Sequence, residues 1–444
     1  MIRLFLISLS ALCLSIATGN INTHAAQPDD TTTETVLTLP ECVKIAFANS
    51  PQLETSKADI VEKEELLSST KKDLFPSLSF QYGYTHSPDA YAPFGVEDYY
   101  RYSFTVEQPV YEGQALITAV KQSELDLDYS NASMTLTKND IVLAVNETYY
   151  NLLKTRKFED VARQSVKERE AHLRDAKAFY EAGLIPKNDM LQSEVELARA
   201  EVNLVRTINL STMAMANLNI LLRKPVDTYL NIEDVLTYEA KEVSWEKAIQ
   251  DAEKYRPEME QSDITIEQAE KNIILTRAPY LPSVSVSADY NRQGDSPLAD
   301  DYPLGPSEIK KAQAMLEWKF WSWGQSKDEI AAAKHALRKS QESKLETFDT
   351  ISLQVREAYL DIKETLINIR LTEKAIEHAE EDYRINQSRY KAQLSTSTDV
   401  LDAQTRLTTA RINYYSELYN YRIALMQLAW ATGTLQHAAE QPPL

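Results

Sequence analysis

The chain has 444 residues, of which 43% are hydrophobic and 25% charged, with 9 glycines and 17 prolines. So little glycine, with long stretches of Ala, Leu, Glu, Lys, Arg and Gln, favours helix over most of the length and excludes collagen-like or low-complexity classes. A balance of 47 basic against 66 acidic residues, net charge −19, argues against nucleic acid and anionic surfaces as partners.

Residues 1–26 read as a secretory signal: Arg3, an apolar run from Leu4 to Ala17, then small residues ending near Ala25 or Ala26. Cys13 lies inside the apolar run without small residues before it, which argues against a lipid anchor. Cleavage would leave Cys42 as the sole cysteine, so no internal disulfide framework is expected. No later stretch approaches 18 consecutive apolar residues, so any membrane crossing must be made by strands.

The mature chain reads as two structural repeats, 27–230 and 231–444, each running short helix, strand, strand, very long helix, helix. At an offset of 206, Pro51 aligns with Pro257, Pro76 with Pro282 and Tyr84 with Tyr290. At an offset of 210, Val145 aligns with Val355, Tyr149 with Tyr359, Tyr180 with Tyr390 and Asp189 with Asp399. A unit this long is not a solenoid repeat, so it reads as two halves related by pseudosymmetry.

The first repeat predicts strands at about 77–86 and 99–110. Leu78, Phe80, Tyr82 and Tyr84 alternate with Ser77, Ser79, Gln81 and Gly83, and Tyr100, Tyr102, Phe104 and Val106 do the same beyond a loop rich in Pro and Asp. The second repeat predicts strands at about 283–291 and 309–321, with Val284, Val286, Ala288 and Tyr290, then Ala312, Ala314, Leu316, Trp318 and Phe320, on one face. Each is long enough for a tilted strand to cross a bilayer. Aromatic rings crowd the ends, including Tyr100, Tyr111, Trp318, Trp321 and Trp323, the ring types that favour a membrane interface. An ordinary sandwich sheet shows the same alternation, but no spare apolar helix face stands nearby to cover four strands.

Long helices follow, at about 113–181 and 325–392, and shorter ones return antiparallel at about 188–223 and 398–431. In the second repeat Val355, Ile362, Ile369 and Ile376 stand seven apart, interleaved by Tyr359 and Leu366, a coiled-coil seam. In the first, Leu127, Met134 and Ile141 stand seven apart and continue at Val145 and Leu152 after a shift of four, which relaxes supercoiling.

Four strands leave two open edges, which hydrocarbon does not tolerate, so the chain must oligomerise. Two copies would make a barrel whose side chains fill it, and three would make twelve strands with room for an aqueous lumen. The expected fold is therefore mainly α with a membrane β-barrel, a trimeric twelve-stranded barrel standing on a long α-helical coiled-coil barrel.

The run LTLPECVKIAFANSPQL at 37–53, the duplicated strand pairs and the segment TDVLDAQTRL at 398–407 resemble the TolC family of outer-membrane efflux and secretion channels, over essentially the whole mature chain. The resemblance implies a homotrimer in the outer membrane of a Gram-negative cell, extending into the periplasm. It also implies a periplasmic adaptor and an inner-membrane transporter as partners. Asp399 and Asp402 match aspartates lining the family's periplasmic constriction, Tyr390 matches a gating tyrosine, and Asp189 matches an acidic partner in the first tip. Gly183, Leu184 and Leu394 fall where an adaptor hairpin would dock. Two departures matter: an arginine that helps hold the family's gate shut is Ser395 here, and the tip glycine kept as Gly183 is Gln393 in the second repeat.

Asp399 and Asp402, at i and i+3, share one helical face, so three chains would present two carboxylate rings suited to attracting cations. Asp399 also stands where it would complete a capping box with Thr396, which would leave Asp402 a solvated charge. Catalytic signals are absent: no phosphate loop, nucleophile elbow or paired metal-binding His occurs, so no enzyme, cofactor or metal is expected. His86, His172, His335, His378 and His437 are scattered one per region and read as exposed polar residues. A secreted coiled-coil scaffold and a free-standing diffusion porin stand as alternatives to an exit duct.

Overall fold

The structure, a computed structural model, describes residues 36–88, 96–234 and 238–435. The expected signal with Cys13, the middle of the first strand-connecting loop, and His437 lie outside the described residues. Helices α1 (Leu39–Asn49) and α2 (Pro51–Lys72) lead into strands β1 (Ser77–His86) and β2 (Asp98–Glu112), then α3 (Ala115–Glu181) and α4 (Lys187–Leu221). The order repeats in α5 (Trp245–Tyr255), α6 (Pro257–Arg277), β3 (Ser283–Gly294), β4 (Glu308–Glu317), α7 (Gln325–Lys391) and α8 (Ser397–Ala431).

Local chemistry sets these boundaries. Thr38 and Glu41 form a capping box at α1, Pro51 opens α2, and the Ser50 hydroxyl accepts a hydrogen bond from the Leu53 amide at 3.4 Å. Helices α3 and α7 each run 67 residues, about 100 Å at 1.5 Å per residue, and the returning α4 and α8 each run 35.

The seam of α7 buries Val355, Ile362 and Ile369, with Ala358 and Thr365 filling the positions between them. Tyr359 and Leu366, expected there, are half-buried instead. A straight helix drifts against a strict seven-residue repeat, and the seam runs through the smaller neighbours that let helices approach.

Two apolar cores lie midway along the long helices. One gathers Val145, Tyr149, Leu152, Leu218 and Tyr419, and the other Val355, Ile362, Tyr421 and Leu428. Their buried tyrosines tie down the segments joining the repeats. The Tyr149 hydroxyl donates to the Glu233 carbonyl at 2.7 Å, and the Tyr421 hydroxyl donates to the Glu239 carbonyl at 2.8 Å while accepting from the Lys241 amide at 3.1 Å. Cys42 is buried in the first core, where desolvation pushes its thiol up to about 11.

Laterally the helices form open rows. Beyond the cores α4 lies beside α3, α3 beside α8 and α8 beside α7, and nearer the strands the row runs α2, α3, α6, α7. The strands form one antiparallel sheet in the order β1-β2-β3-β4, so the outer edges of β1 and β4 are unpaired among the described residues. Strand β4 stops at Glu317, short of the expected 321, and Trp318, Phe320, Trp321 and Trp323 follow in an extended exposed segment. Trp323 and Gly324, both at positive φ, turn the chain into α7 there.

Replacing Tyr421 by Phe strips two backbone groups of their partner. A loss of about 1–3 kcal/mol is expected, measured as a lower unfolding midpoint in detergent with secondary structure retained; an unchanged midpoint would contradict the anchoring role.

Candidate functional site

Strand register sorts the sheet into two faces. Across the four strands Leu78, Val106, Ala288 and Ala312 lie in line, as do Phe80, Phe104, Tyr290 and Lys310. The Phe80 and Phe104 ring centroids are 4.7 Å apart. The opposite face carries rows such as Gln81, Ser103, Asn291, Ile309 and Ser79, Thr105, Asp289, Lys311, polar on the first three strands, with the Thr105 hydroxyl donating to Asp289 at 2.8 Å. The apolar face is bare: Leu78 is 80% exposed and Leu316 67%. Apolar side chains left open in a continuous sheet face, opposite a polar one, are the pattern of a barrel wall between lipid and an aqueous lumen.

Strand length agrees with that placement. Ten-residue β1 spans about 33 Å, and roughly 23 Å along the normal when tilted near 45°, close to the ~25 Å apolar band of such barrels. Tyr100 and Tyr111 stand near the two ends of β2. Eleven positions apart, they would face opposite sides of a regular strand. A bulge between Pro109 and Tyr111 shifts the register and returns Tyr111 to the apolar face beside Val284. The bulge also accommodates Pro109, which donates nothing to a ladder. Trp318, Trp321 and Trp323 are exposed at the helix-side end with Tyr111, whereas Tyr100 stacks on Tyr84 at the loop-side end, 4.8 Å between centroids.

The second cluster lies where the long helices turn back. Gly183 has φ +71, and Gln393, the matching residue of the second repeat, has φ +60. Both tips close with the same pair of bonds, Gly183 N to Tyr180 O at 2.9 Å and Leu184 N to Phe179 O at 2.8 Å, against Gln393 N to Tyr390 O at 2.9 Å and Leu394 N to Arg389 O at 2.8 Å. The left-handed turn is thus kept without the glycine. Leu184 and Leu394 project from these turns, 53% and 69% exposed.

Asp399 and Asp402 are both exposed on one face of α8, while Val400, Leu401 and Ala403 are buried behind them. The Asp399 carboxylate also caps the helix, accepting from the Thr396 amide and hydroxyl at 2.8 Å each and from the Ser395 hydroxyl at 2.9 Å. These bonds, the Thr396 amide foremost, hold its carboxyl below the usual range. The two expected roles of Asp399 are therefore compatible. Asp189 sits in the first turn of α4, partly buried, and Tyr390 is buried in the last turn of α7 between His172 and Phe179, at centroid distances of 4.9 and 5.4 Å.

His172 corrects the sequence reading. It is buried, not an exposed polar residue, and its Nε2 lies 2.8 Å from the Ser397 hydroxyl. His335 and His378 are exposed, and His86 lies beside Asp98 at the end of the first strand pair. The signal for His172 was available: Ala162, Ser165, Arg169, His172 and Ala176 continue the buried stripe of α3 at spacings of three and four. From Ser165 onward polar contacts between α3 and α8 are set among buried apolar residues such as Leu173, Leu401 and Leu407. Arg169, also buried, reaches Glu196 of α4 at 3.2 Å and Thr405 of α8 at 3.1 Å, and Gln404 donates to the Glu168 carbonyl at 3.2 Å.

A family profile described as outer membrane efflux protein matches residues 42–222 and 248–434. The outer membrane protein TolC of Vibrio cholerae is 21% identical over 403 residues, covering 89% of this chain and 91% of that one. TolC of Escherichia coli is 21% identical over 411 residues, covering 88% and 81%. Among solved structures, the outer membrane protein VceC from Vibrio cholerae is similar with a TM-score of 0.78 at 16% identity, over 89% of this chain and 96% of that one.

Gln393 holds a conformation that costs a side-chain-bearing residue about 1 kcal/mol. Gln393→Gly is expected to stabilise the tip by about that much, and Gly183→Ala to destabilise it similarly, since no atom within 4 Å would meet the new Cβ. Hydrogen exchange of the tip amides measures both; faster exchange in Gln393→Gly would contradict the assignment.

Proposed function

The chain belongs to the outer membrane efflux protein family, and from that premise we propose that it is the exit duct of a tripartite efflux or type I secretion machine. It is an outer-membrane efflux channel. In the proposed machine it receives cargo from a periplasmic adaptor and an inner-membrane transporter and releases it outside. The observation that carries this reading is the bare apolar sheet face combined with two unpaired strand edges. Three copies joined β1 to β4 give twelve strands, the smallest barrel here with an aqueous lumen.

The helices support the same closure. Helix α7 carries Leu353, Leu360 and Ile367 exposed at heptad spacing, and α4 at the other edge of its row exposes Val195, Val202 and Met213. Each stripe finds a complement on a neighbouring copy, a head-to-tail contact that closes by rotation. Around the lumen Asp399 and Asp402 form the carboxylate rings of the constriction, with Tyr390 and Asp189 behind them. Gly183, Leu184 and Leu394 form the adaptor's docking points, where exposed leucines offer anchors for a partner hairpin. Tyr100, Tyr111, Trp318, Trp321 and Trp323 seat the barrel in outer-membrane lipid.

A coiled-coil scaffold would leave the apolar sheet face in water, and a diffusion porin would have no use for tips that project carboxylates. The protein reconstituted in planar bilayers is expected to have the mass of three copies and a small conductance. Asp399→Ala with Asp402→Ala is expected to raise that conductance severalfold and weaken block by divalent cations. A monomeric, non-conducting protein contradicts the duct, solubility without detergent favours the scaffold, a freely open wild-type pore favours the porin, and unchanged cation block removes the two aspartates from the constriction.

A further inference from the structure

The gate assigned to the tips needs something to hold it shut, and the arginine expected from the family resemblance is Ser395. The structure offers a different fastening. His172 of α3, Ser193 of α4 and Ser397 of α8 meet in one buried cluster, with His172 Nε2 2.8 Å from the Ser397 hydroxyl and the Ser193 and Ser397 hydroxyls 3.1 Å apart. All three are at most 5% exposed, and the ring of Tyr390 from α7 covers His172. Three helices therefore meet in one hydrogen-bonded knot, and the fourth, α7, covers it with the Tyr390 ring.

We infer that His172, Ser193 and Ser397 form an uncharged latch that fastens the α3/α4 hairpin to the α7/α8 hairpin within each chain and keeps the constriction closed. The inference rests on the reading of the tips as the gate. The latch is built to be undone. Beside the buried leucines the α3–α8 seam carries polar contacts, so parting the tip also exposes hydroxyls, an imidazole and a guanidinium that water can satisfy. The Tyr390 hydroxyl is buried without a hydrogen-bond partner among the described residues, so it too gains by opening.

The latch requires neutral imidazole, and its surroundings enforce that form. Burial pushes His172 down to about 4 from its ordinary 6.5, with Asp175 on the same helix opposing the shift and Arg169 reinforcing it. Asp189 of α4 is the other carboxylate acting on this knot through Tyr390, whose hydroxyl is pushed up chiefly by burial; Ser397 eases that shift without hydrogen-bond geometry. Opening admits water and restores the ordinary value. Protons then favour the open state increasingly from pH 6.5 down to about 4, a shift of up to about two orders of magnitude in the closed-to-open ratio. The Thr396 and Ser395 hydrogen bonds hold the Asp399 carboxyl below its ordinary value.

Single-channel recording of the full-length protein tests the latch. His172→Ala should raise conductance at pH 7, and His172→Gln, neutral and able to hydrogen-bond, should restore low conductance while abolishing the rise seen in wild type between pH 6.5 and 4. A His172→Ala channel as closed as wild type, or an acid response surviving in His172→Gln, overturns the latch. Ser193→Cys with Ser397→Cys separates this from failure of the gate itself. A disulfide that forms on oxidation and lowers conductance reversibly supports the contact and the gate. No disulfide contradicts the Ser193–Ser397 contact, and a disulfide without effect on conductance removes the tips from gating, and the latch with them.

Discussion

Every backbone N–H and C=O that enters hydrocarbon must find a hydrogen-bond partner, and among the described residues two strand edges have none. The four-stranded sheet ends in an open β1 on one side and an open β4 on the other. Leaving those groups bare in lipid costs several kcal/mol each, more than any local rearrangement recovers. The rest of the architecture answers that deficit. Its helices repeat the arrangement of the sheet, as rows of four whose outer members carry unpaired apolar stripes. One rotation between copies can therefore satisfy hydrogen bonds in the membrane and bury apolar surface below it.

The long α3 and α7 transmit that arrangement over about 100 Å, but the chemistry of the seam changes along the way. Midway, α3 and α8 meet through Val145, Tyr149, Leu152 and Tyr419, an apolar contact that does not come apart without exposing a core. Toward the tips they meet through Arg169, His172, Gln404 and Thr405. The first kind of contact makes a fixed fulcrum, and the second makes a joint whose opening exchanges protein hydrogen bonds for water. On the proposal that the tips form the gate, a channel that stays assembled while its end opens uses both, placed in this order.

Much of the fold was legible in the sequence because its signals are long and periodic. Alternation over ten residues located β1, and the absence of Pro and Gly located two 67-residue helices. The shared exposed face of Asp399 and Asp402 on α8 was legible from their i, i+3 spacing. What stayed hidden depends on register and burial. A bulge between Pro109 and Tyr111, which places Tyr111 on the apolar face, leaves no mark in a simple count of alternating residues. Strand β4 ends at Glu317 because the chain must turn into α7 at Trp323 and Gly324, although the aromatic alternation continues to Phe320. His172 was missed because a lone histidine in a polar helix suggests solvent, whereas its place on an extended heptad stripe puts it inside.

The central claim is that neighbouring copies pair the outer edges of β1 and β4. Backbone amide hydrogen exchange of the protein in lipid bilayers tests this strand by strand. Edge closure predicts that amides on the outer sides of β1 and β4 exchange as slowly as those of β2 and β3. Fast exchange confined to the outer edges of β1 and β4, with β2 and β3 protected, would show an open sheet and contradict the account.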